Sequence, residues 1–290
     1  MECEAAGVRI HYEERGTGRP VIALHGWSLD HTETVFELDS HFSERPGWRR
    51  IYLDLPGSGK TPRADWIQGS DQMLELVLAF LRKVIPGERF VAIGTSYGAY
   101  LVRGLVLKRG SDMDGAMFSV PVILADTKRR TVPARTVLAR DEAFVEAARK
   151  EGLDWIEDVG TALVPALHDY ARALQPTSPV DTGFLDEVRK KYEFSFDVDH
   201  LESPFLAPTL FLMGRQDNVV GYRDSWNVLE NYPRATFAVL DHAGHLLWGE
   251  RAQLASALTS DWLDRVEEWT AFRTRGRNTR DVVAPTAQPS

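Results

Sequence analysis

Apolar and polar positions along the chain follow two alternating periods. Val8-Arg9-Ile10-His11-Tyr12 switches residue by residue, as a half-exposed strand does. Val21-Ile22-Ala23-Leu24 and Phe90-Val91-Ala92-Ile93 are short and continuously apolar, the pattern of strands buried on both faces, and residues 50–53 and Thr209-Leu210-Phe211-Leu212-Met213 read as further short buried strands. Further strands are expected over 115–120 and 235–240. Helical stretches lie between them. One amphipathic segment covers 34–45. A second helix starts at Ser70, repeats Met73, Val77, Leu81 and Val84 at helical spacing, and is stopped by Pro86-Gly87. Others are expected over 99–109, 224–231 and 250–272. Strands alternating with helices predict an α/β fold, a mainly parallel sheet with helices on both faces. The alternation breaks at Pro121. Residues 121–203 read as helical without a convincing strand, an inserted subdomain between core segments 1–120 and 204–272. Residues 273–290 are polar, carry Pro285 and Pro289, and are expected to form a disordered tail.

One stretch organises the chemistry. Gly94-Thr95-Ser96-Tyr97-Gly98 follows an apolar run and precedes a helix, the context in which G-x-S-x-G forms a sharp turn with the serine at its apex. So tight a turn demands very small residues two before and two after Ser96, and Gly94 and Gly98 meet that demand. In isolation the same residues fit a strand-to-helix turn with a capping serine.

A serine hydroxyl near neutral pH needs a base, and the base needs a carboxylate to hold its tautomer. In a parallel sheet the C-terminal strand ends share one edge, so residues just beyond them meet. Ser96, Asp217 and His245 each follow a predicted strand end, in the order Ser, Asp, His. Each has a rival. Asp217 also suits a helix N-cap, Asp224 is another acid nearby, and His242 shares the loop of His245. An oxyanion needs backbone N–H donors. The Tyr97 amide follows the nucleophile, and His25-Gly26-Trp27 follows an early strand, which makes the Trp27 amide the second candidate.

Composition narrows the classes. The chain has 290 residues, 43% of them hydrophobic, enough for a large core. With 34 basic and 42 acidic side chains the net charge is -8, unsuited to nucleic acid or an anionic membrane. Lys128-Arg129-Arg130 reads as a solvated helix end. Cys3 is the single cysteine, so no internal disulfide or cysteine metal cluster is expected, in keeping with a reducing compartment. The N-terminus lacks the features of a secretory signal, and the longest nearly apolar run, 116–125, is too short to span a bilayer. A cytoplasmic protein is the expectation, with monomer and homodimer both open. Gly57-Ser58-Gly59-Lys60-Thr61 imitates part of a phosphate loop, but Asp54 stands where the pattern needs glycine. There is no H-E-x-x-H. No cofactor and no metal are expected.

Leu24-His25-Gly26-Trp27, Asp54-Leu55-Pro56-Gly57-Ser58-Gly59, the Ser96 turn, Gly214-Arg215-Gln216-Asp217 and Ala243-Gly244-His245 together resemble the α/β-hydrolase superfamily over about residues 8–270. The resemblance implies an α/β-hydrolase fold whose helical cap is the 121–203 insertion, and a structural role for Asp54. Ser96 departs from the aspartate nucleophile of haloalkane dehalogenases and epoxide hydrolases. Thr95 and Tyr97 depart from the G-G-S-W-G of prolyl iminopeptidases. Thr95 also departs from the asparagine common in meta-fission hydrolases, and Ala99 from the second glycine of cofactor-free haloperoxidases. The expected activity is hydrolysis of a small or medium carboxylic ester or lactone through an acyl-enzyme. The alternatives are a carbon–carbon bond hydrolase for meta-fission products and a slow-turnover ligand receptor on the same fold.

Overall fold

The computed structural model describes residues 1–274. Its strands are β1 (Glu2–Ala5), β2 (Val8–Arg15), β3 (Arg19–Leu24), β4 (Trp48–Leu53), β5 (Phe90–Thr95), β6 (Met113–Ser119), β7 (Ala139–Arg140), β8 (Ala162–Leu163), β9 (Thr209–Gly214) and β10 (Ala235–Leu240). Eight of them form one sheet in the order β1-β2-β4-β3-β5-β6-β9-β10. The β1–β2 and β2–β4 pairings are antiparallel and the rest parallel. The apolar runs lie at the centre: every residue of β5, β6 and β9 is buried, as strands covered on both faces require. The edge strand β10 is only half-buried along most of its length.

The helices are α1 (His31–Leu38), α2 (Ser70–Val84), α3 (Tyr97–Arg109), α4 (Glu142–Lys150), α5 (Ile156–Val159), α6 (His168–Ala173), α7 (Thr182–Arg189), α8 (Leu247–Glu250) and α9 (Ala252–Thr274). α2 and α3 cover one face of the sheet, and α1 and α9 the other. No described helix is long and apolar enough to cross a membrane.

Several expectations need adjustment. β1 was not expected, because Glu2-Cys3-Glu4 carries too little apolar surface to signal a strand; pairing with β2 forms it. The first helix starts earlier than the 34–45 pattern suggests, with Asp30 capping it through the Thr32 amide, and it gives way to a 3-10 turn at Asp39–Phe42. The 224–231 helix is a 3-10 helix, Arg223–Asn231. Residues 121–203 do contain strand pairing, since β7 and β8 form a two-residue parallel bridge too short to show a period. The last helix reaches Thr274, so the first two residues assigned to the tail are helical; the rest of 273–290 lies outside the described residues. Finally, no helix follows Thr61 until Ser70, so the Gly57–Lys60 stretch lacks the helix of a phosphate loop.

Candidate active site

β5 delivers Ser96 to the sheet edge, and α3 begins at the next residue. Ser96 has φ 53° and ψ -109°, a conformation that L-residues rarely adopt. Its amide donates to the Ser119 carbonyl at 2.9 Å, and its carbonyl accepts from Tyr100 and Val122 at 3.3 Å each. The flanking glycines are required by contact. A Cβ on Gly98 would overlap the Leu24 carbonyl, and one on Gly94 would collide with the backbone of Gly98 and Ala99. Their absence lets α3 start directly against β3 and β5.

Asp217, past the end of β9, is fully buried. Its Oδ1 accepts the Val219 and Val220 amides at 2.8 and 2.9 Å, which orients the carboxylate. Oδ2 is left for His245 Nδ1, 2.9 Å away. With Nδ1–H donating to Asp217, His245 Nε2 is free to accept, and it lies 3.2 Å from Ser96 Oγ. Desolvation by itself lowers the His245 pKa. The Asp217 charge and hydrogen bond outweigh it, so the imidazole lies above its ordinary value. The structure thus brings Ser96, Asp217 and His245 together and leaves their rivals elsewhere. Asp224 accepts the Thr131 amide at 2.8 Å. His242 is 54% exposed, beside Asp241.

The two candidate amides also meet this edge. His25 is buried, accepts the Leu55 amide on Nε2 at 2.9 Å, and therefore donates from Nδ1 to the Gly26 carbonyl at 2.7 Å. Burial lowers its pKa and keeps it neutral. That bracing fixes the turn carrying Trp27. Among the described residues no acceptor takes the Trp27 or the Tyr97 amide. The Trp27 ring stands edge-on to Tyr97 with centroids 4.8 Å apart.

Ser96, His245 and Trp27 line a cavity of about 920 Å³. Its opposite wall comes from the 121–203 segment, including Trp155, Tyr170 and Tyr192. Other apolar residues of that segment, Phe144, Leu153 and Ile156, are buried but do not line the cavity. The pattern alone could not separate these two groups.

Several site-lining or bracing groups escaped the sequence reading. Lys128 and Arg129 do end an exposed 3-10 turn, Thr127–Arg129, but Arg130, its C-cap, is half-buried rather than solvated; its guanidinium donates to the carbonyls of Leu124, Ala125 and Val219 and lines the cavity. Arg189, at the end of α7, lies 5.1 Å over the Trp27 ring. Neither forms an ion pair among the described residues. Glu33 and Glu37, one turn apart on α1, are both buried. Glu37 accepts the Thr95 and Tyr170 hydroxyls at 2.6 and 2.7 Å, and Glu33 accepts the Gly26 amide at 2.5 Å. Glu250 accepts the Gly244 amide at 2.5 Å, the Ala162 amide at 3.0 Å and the Thr161 amide, joining the loop before His245 to β8. The i, i+4 spacing of Glu33 and Glu37 was the one visible hint, since it puts both carboxyls on one side of a helix.

A further cluster lies away from the cavity. Asp54 accepts from His31 Nδ1 and His11 Nδ1 at 2.8 Å each, and from the His31 and Lys60 amides. His11, His31 and Asp54 come within reach of a common ion, a grouping that their sequence separation hid. Each Asp54 oxygen is already engaged by two donors, so the cluster reads as the anchor of the loop after β4.

Comparison with known proteins agrees with the fold. Residues 19–252 match the family model described as the alpha/beta hydrolase fold. A pimeloyl-[acyl-carrier protein] methyl ester esterase from Legionella pneumophila is 23% identical over 243 residues, covering 82% of this chain and 92% of that protein. The 2-hydroxy-6-oxo-6-(2'-aminophenyl)hexa-2,4-dienoic acid hydrolase of Metapseudomonas resinovorans is 22% identical, covering 90% and 89%. Among solved structures, an alpha/beta superfamily hydrolase from Oenococcus oeni superposes with a TM-score of 0.83 at 24% identity, over 92% of this chain and 99% of that one. With a family model covering residues 19–252, most of its length, the chain belongs to the alpha/beta hydrolase fold family.

Proposed function

We propose that the protein is a serine hydrolase that cleaves a small or medium carboxylic ester or lactone through an acyl-enzyme. Ser96 Oγ attacks the carbonyl carbon as His245 Nε2 takes its proton. Asp217 holds the Nδ1–H tautomer and stabilises the imidazolium. The Trp27 and Tyr97 amides bind the oxyanion, each donor supplying about two to three orders of magnitude in turnover. Collapse of the intermediate expels the alkoxide, which takes the proton from His245. Water then attacks the acyl-enzyme by the same route in reverse and releases the acid and Ser96. In this reading 121–203 is the cap, and 1–120 with 204–272 is the catalytic core.

The observation that carries the proposal is the continuous contact from Asp217 Oδ2 through His245 to Ser96 Oγ, 2.9 and 3.2 Å, inside a cavity beside two unengaged amides. The similarity to an esterase supports the ester over other acyl compounds. The test is labelling by a fluorophosphonate followed by multiple-turnover cleavage of an ester and lactone panel. Labelling absent in folded Ser96→Ala, with turnover by the wild type, supports the proposal. Folded protein that neither labels nor cleaves refutes it. Labelling without turnover supports a slow receptor instead.

A second reading has its own observation. Arg130 and Arg189 line the cavity without an ion-paired carboxylate among the described residues, which suits an anionic substrate, and one relative is a hexadienoic acid hydrolase. A meta-fission acid therefore belongs in the panel. Its cleavage in preference to neutral esters would move the assignment to carbon–carbon hydrolysis.

A further inference from the structure

Glu33 is a buried carboxyl that the mechanism above does not use. It is 3% exposed, lines the cavity with Ser96 and His245, and lies on α1 with its side chain against the turn that carries Trp27. Only one of its oxygens is engaged: Oε2 accepts the Gly26 amide at 2.5 Å. Oε1 has no hydrogen-bond partner among the described residues. No Lys or Arg among the described residues pairs with it. The titratable groups facing it are Glu37 on its own helix, Asp30 just before that helix, Tyr170 on α6, and His245. Two of these, Glu37 and Asp30, are carboxyls, so a charge on Glu33 would be repelled. Gly26 and Trp27 are consecutive, which places the Glu33 carboxyl next to the amide proposed to bind the oxyanion. A carboxylate there would oppose the negative charge that develops in the transition state, whereas an O–H donor would add to its stabilisation.

We propose that Glu33 is a further substrate-contacting residue, whose carboxyl O–H donates to an acceptor oxygen at the acyl end of the substrate beside the Trp27 amide. This rests on the serine-hydrolase reading and deepens it. The favoured substrates carry an oxygen close to the scissile carbonyl on the acyl side, as hydroxy, alkoxy or oxo acyl compounds do. Burial, and then the Glu37 charge, push the Glu33 carboxyl well above the usual carboxylate range, against the pull of the Gly26 amide and His245. Burial without a cationic partner, beside the Glu37 and Asp30 carboxyls, favours the acid form over the carboxylate. Glu37, which accepts two hydroxyl donors, is the better supported of the pair as a carboxylate.

The test uses the full chain as wild type, Glu33→Gln and Glu33→Leu. Rates of Ser96 phosphonylation by a fluorophosphonate are followed against pH. Two nitrophenyl esters, a methoxyacetate and a butyrate, are compared by kcat/KM. In the wild type the phosphonylation rate should fall on the alkaline side as Glu33 ionises. Glu33→Gln keeps a donor and cannot ionise, so it should lose that fall while retaining the preference for the methoxyacetate. Glu33→Leu should lose the preference by about two- to tenfold, the worth of one neutral hydrogen bond. The proposal is overturned if the alkaline fall persists in Glu33→Gln, or if a folded Glu33→Leu keeps the wild-type preference. Wild-type protein that labels but shows no alkaline fall also overturns it, while leaving the serine-hydrolase reading intact. Folded wild type that fails to label at any pH removes both.

Discussion

Replacing Glu250 should separate the alignment of the His245 loop from the chemistry of the triad. One carboxylate holds three backbone amides from two segments: Gly244 beside His245, and Thr161 with Ala162 at β8. Glu250→Ala removes the acceptor for all three. A buried donor left without a partner costs about 1–3 kcal/mol. Glu250 is only partly buried and water can reach the gap, so the low end applies, giving about 3 kcal/mol for the three amides. Glu250→Gln keeps one acceptor oxygen. Facing Thr161 and Ala162, it would leave the Gly244 amide opposite an NH2 group and lose about 1 kcal/mol. Freed from this tether, the Gly244–His245 turn should relax and lengthen the 3.2 Å contact to Ser96. The assay is urea unfolding followed by circular dichroism, with kcat/KM on the best ester found. The expected result is a loss near 3 kcal/mol for Glu250→Ala, about 1 kcal/mol for Glu250→Gln, and at least a tenfold fall in kcat/KM for the still-folded Glu250→Gln. Glu250→Ala within about 0.5 kcal/mol of wild type, at unchanged kcat/KM, would refute the tether.

Three other substitutions probe different parts of the account. Gly98→Ala forces a methyl group into the Leu24 carbonyl and should destabilise the fold by about 3 kcal/mol or more, read from the urea midpoint; a neutral effect would contradict the packing of α3 on β3. His245 must be neutral to act as a base, so kcat/KM should rise with pH through a midpoint above the ordinary imidazole value of 6.5. Asp217→Asn should move that midpoint down and cost about four orders of magnitude in kcat, as loss of the equivalent carboxylate does in serine proteases. Asp54 sits well below the usual carboxylate range: burial raises it, but the His31 hydrogen bond and the Lys60 and His31 amides outweigh that. His31 is raised, since Asp54 overcomes the effect of burial. The Asp54 contribution is therefore present above the unfolded carboxylate pKa and lost in strong acid. The His31 contribution is full below the unfolded pKa near 6.5 and lost as pH rises through the folded value. Wild type minus His31→Gln unfolding free energy should thus be larger at pH 6 than at pH 9, and an equal difference would remove His31 from the network.

What the sequence made legible follows one rule: signals carried by local geometry are visible, and those that need a tertiary partner are not. The Ser96 turn announced itself because Gly94 and Gly98 are a steric demand of the turn itself. The central strands did so because burial on both faces requires an unbroken apolar run. Ser96, Asp217 and His245 were readable together because each ends a strand of one parallel edge. Periodicity assigns charged positions to solvent, and it gives no sign that Glu37, within the 34–45 segment, or Glu33, just before it, is buried. They are buried because Gly26, Thr95 and Tyr170 supply donors from elsewhere in the chain. Arg130 passed as a surface charge for the same reason, its three carbonyl acceptors lying in folded loops. Within 121–203, Trp155 and Phe144 look alike in sequence, and only the fold shows which one faces the cavity.

The most direct test of the central claim is capture of the acyl-enzyme. Mixing the protein with a slowly deacylating nitrophenyl ester should give a burst of nitrophenol near one equivalent, and peptide mass analysis should find the acyl group on Ser96. Folded Ser96→Ala should show neither burst nor adduct. Undiminished turnover by Ser96→Ala, or an acyl group carried on another residue, would contradict the account.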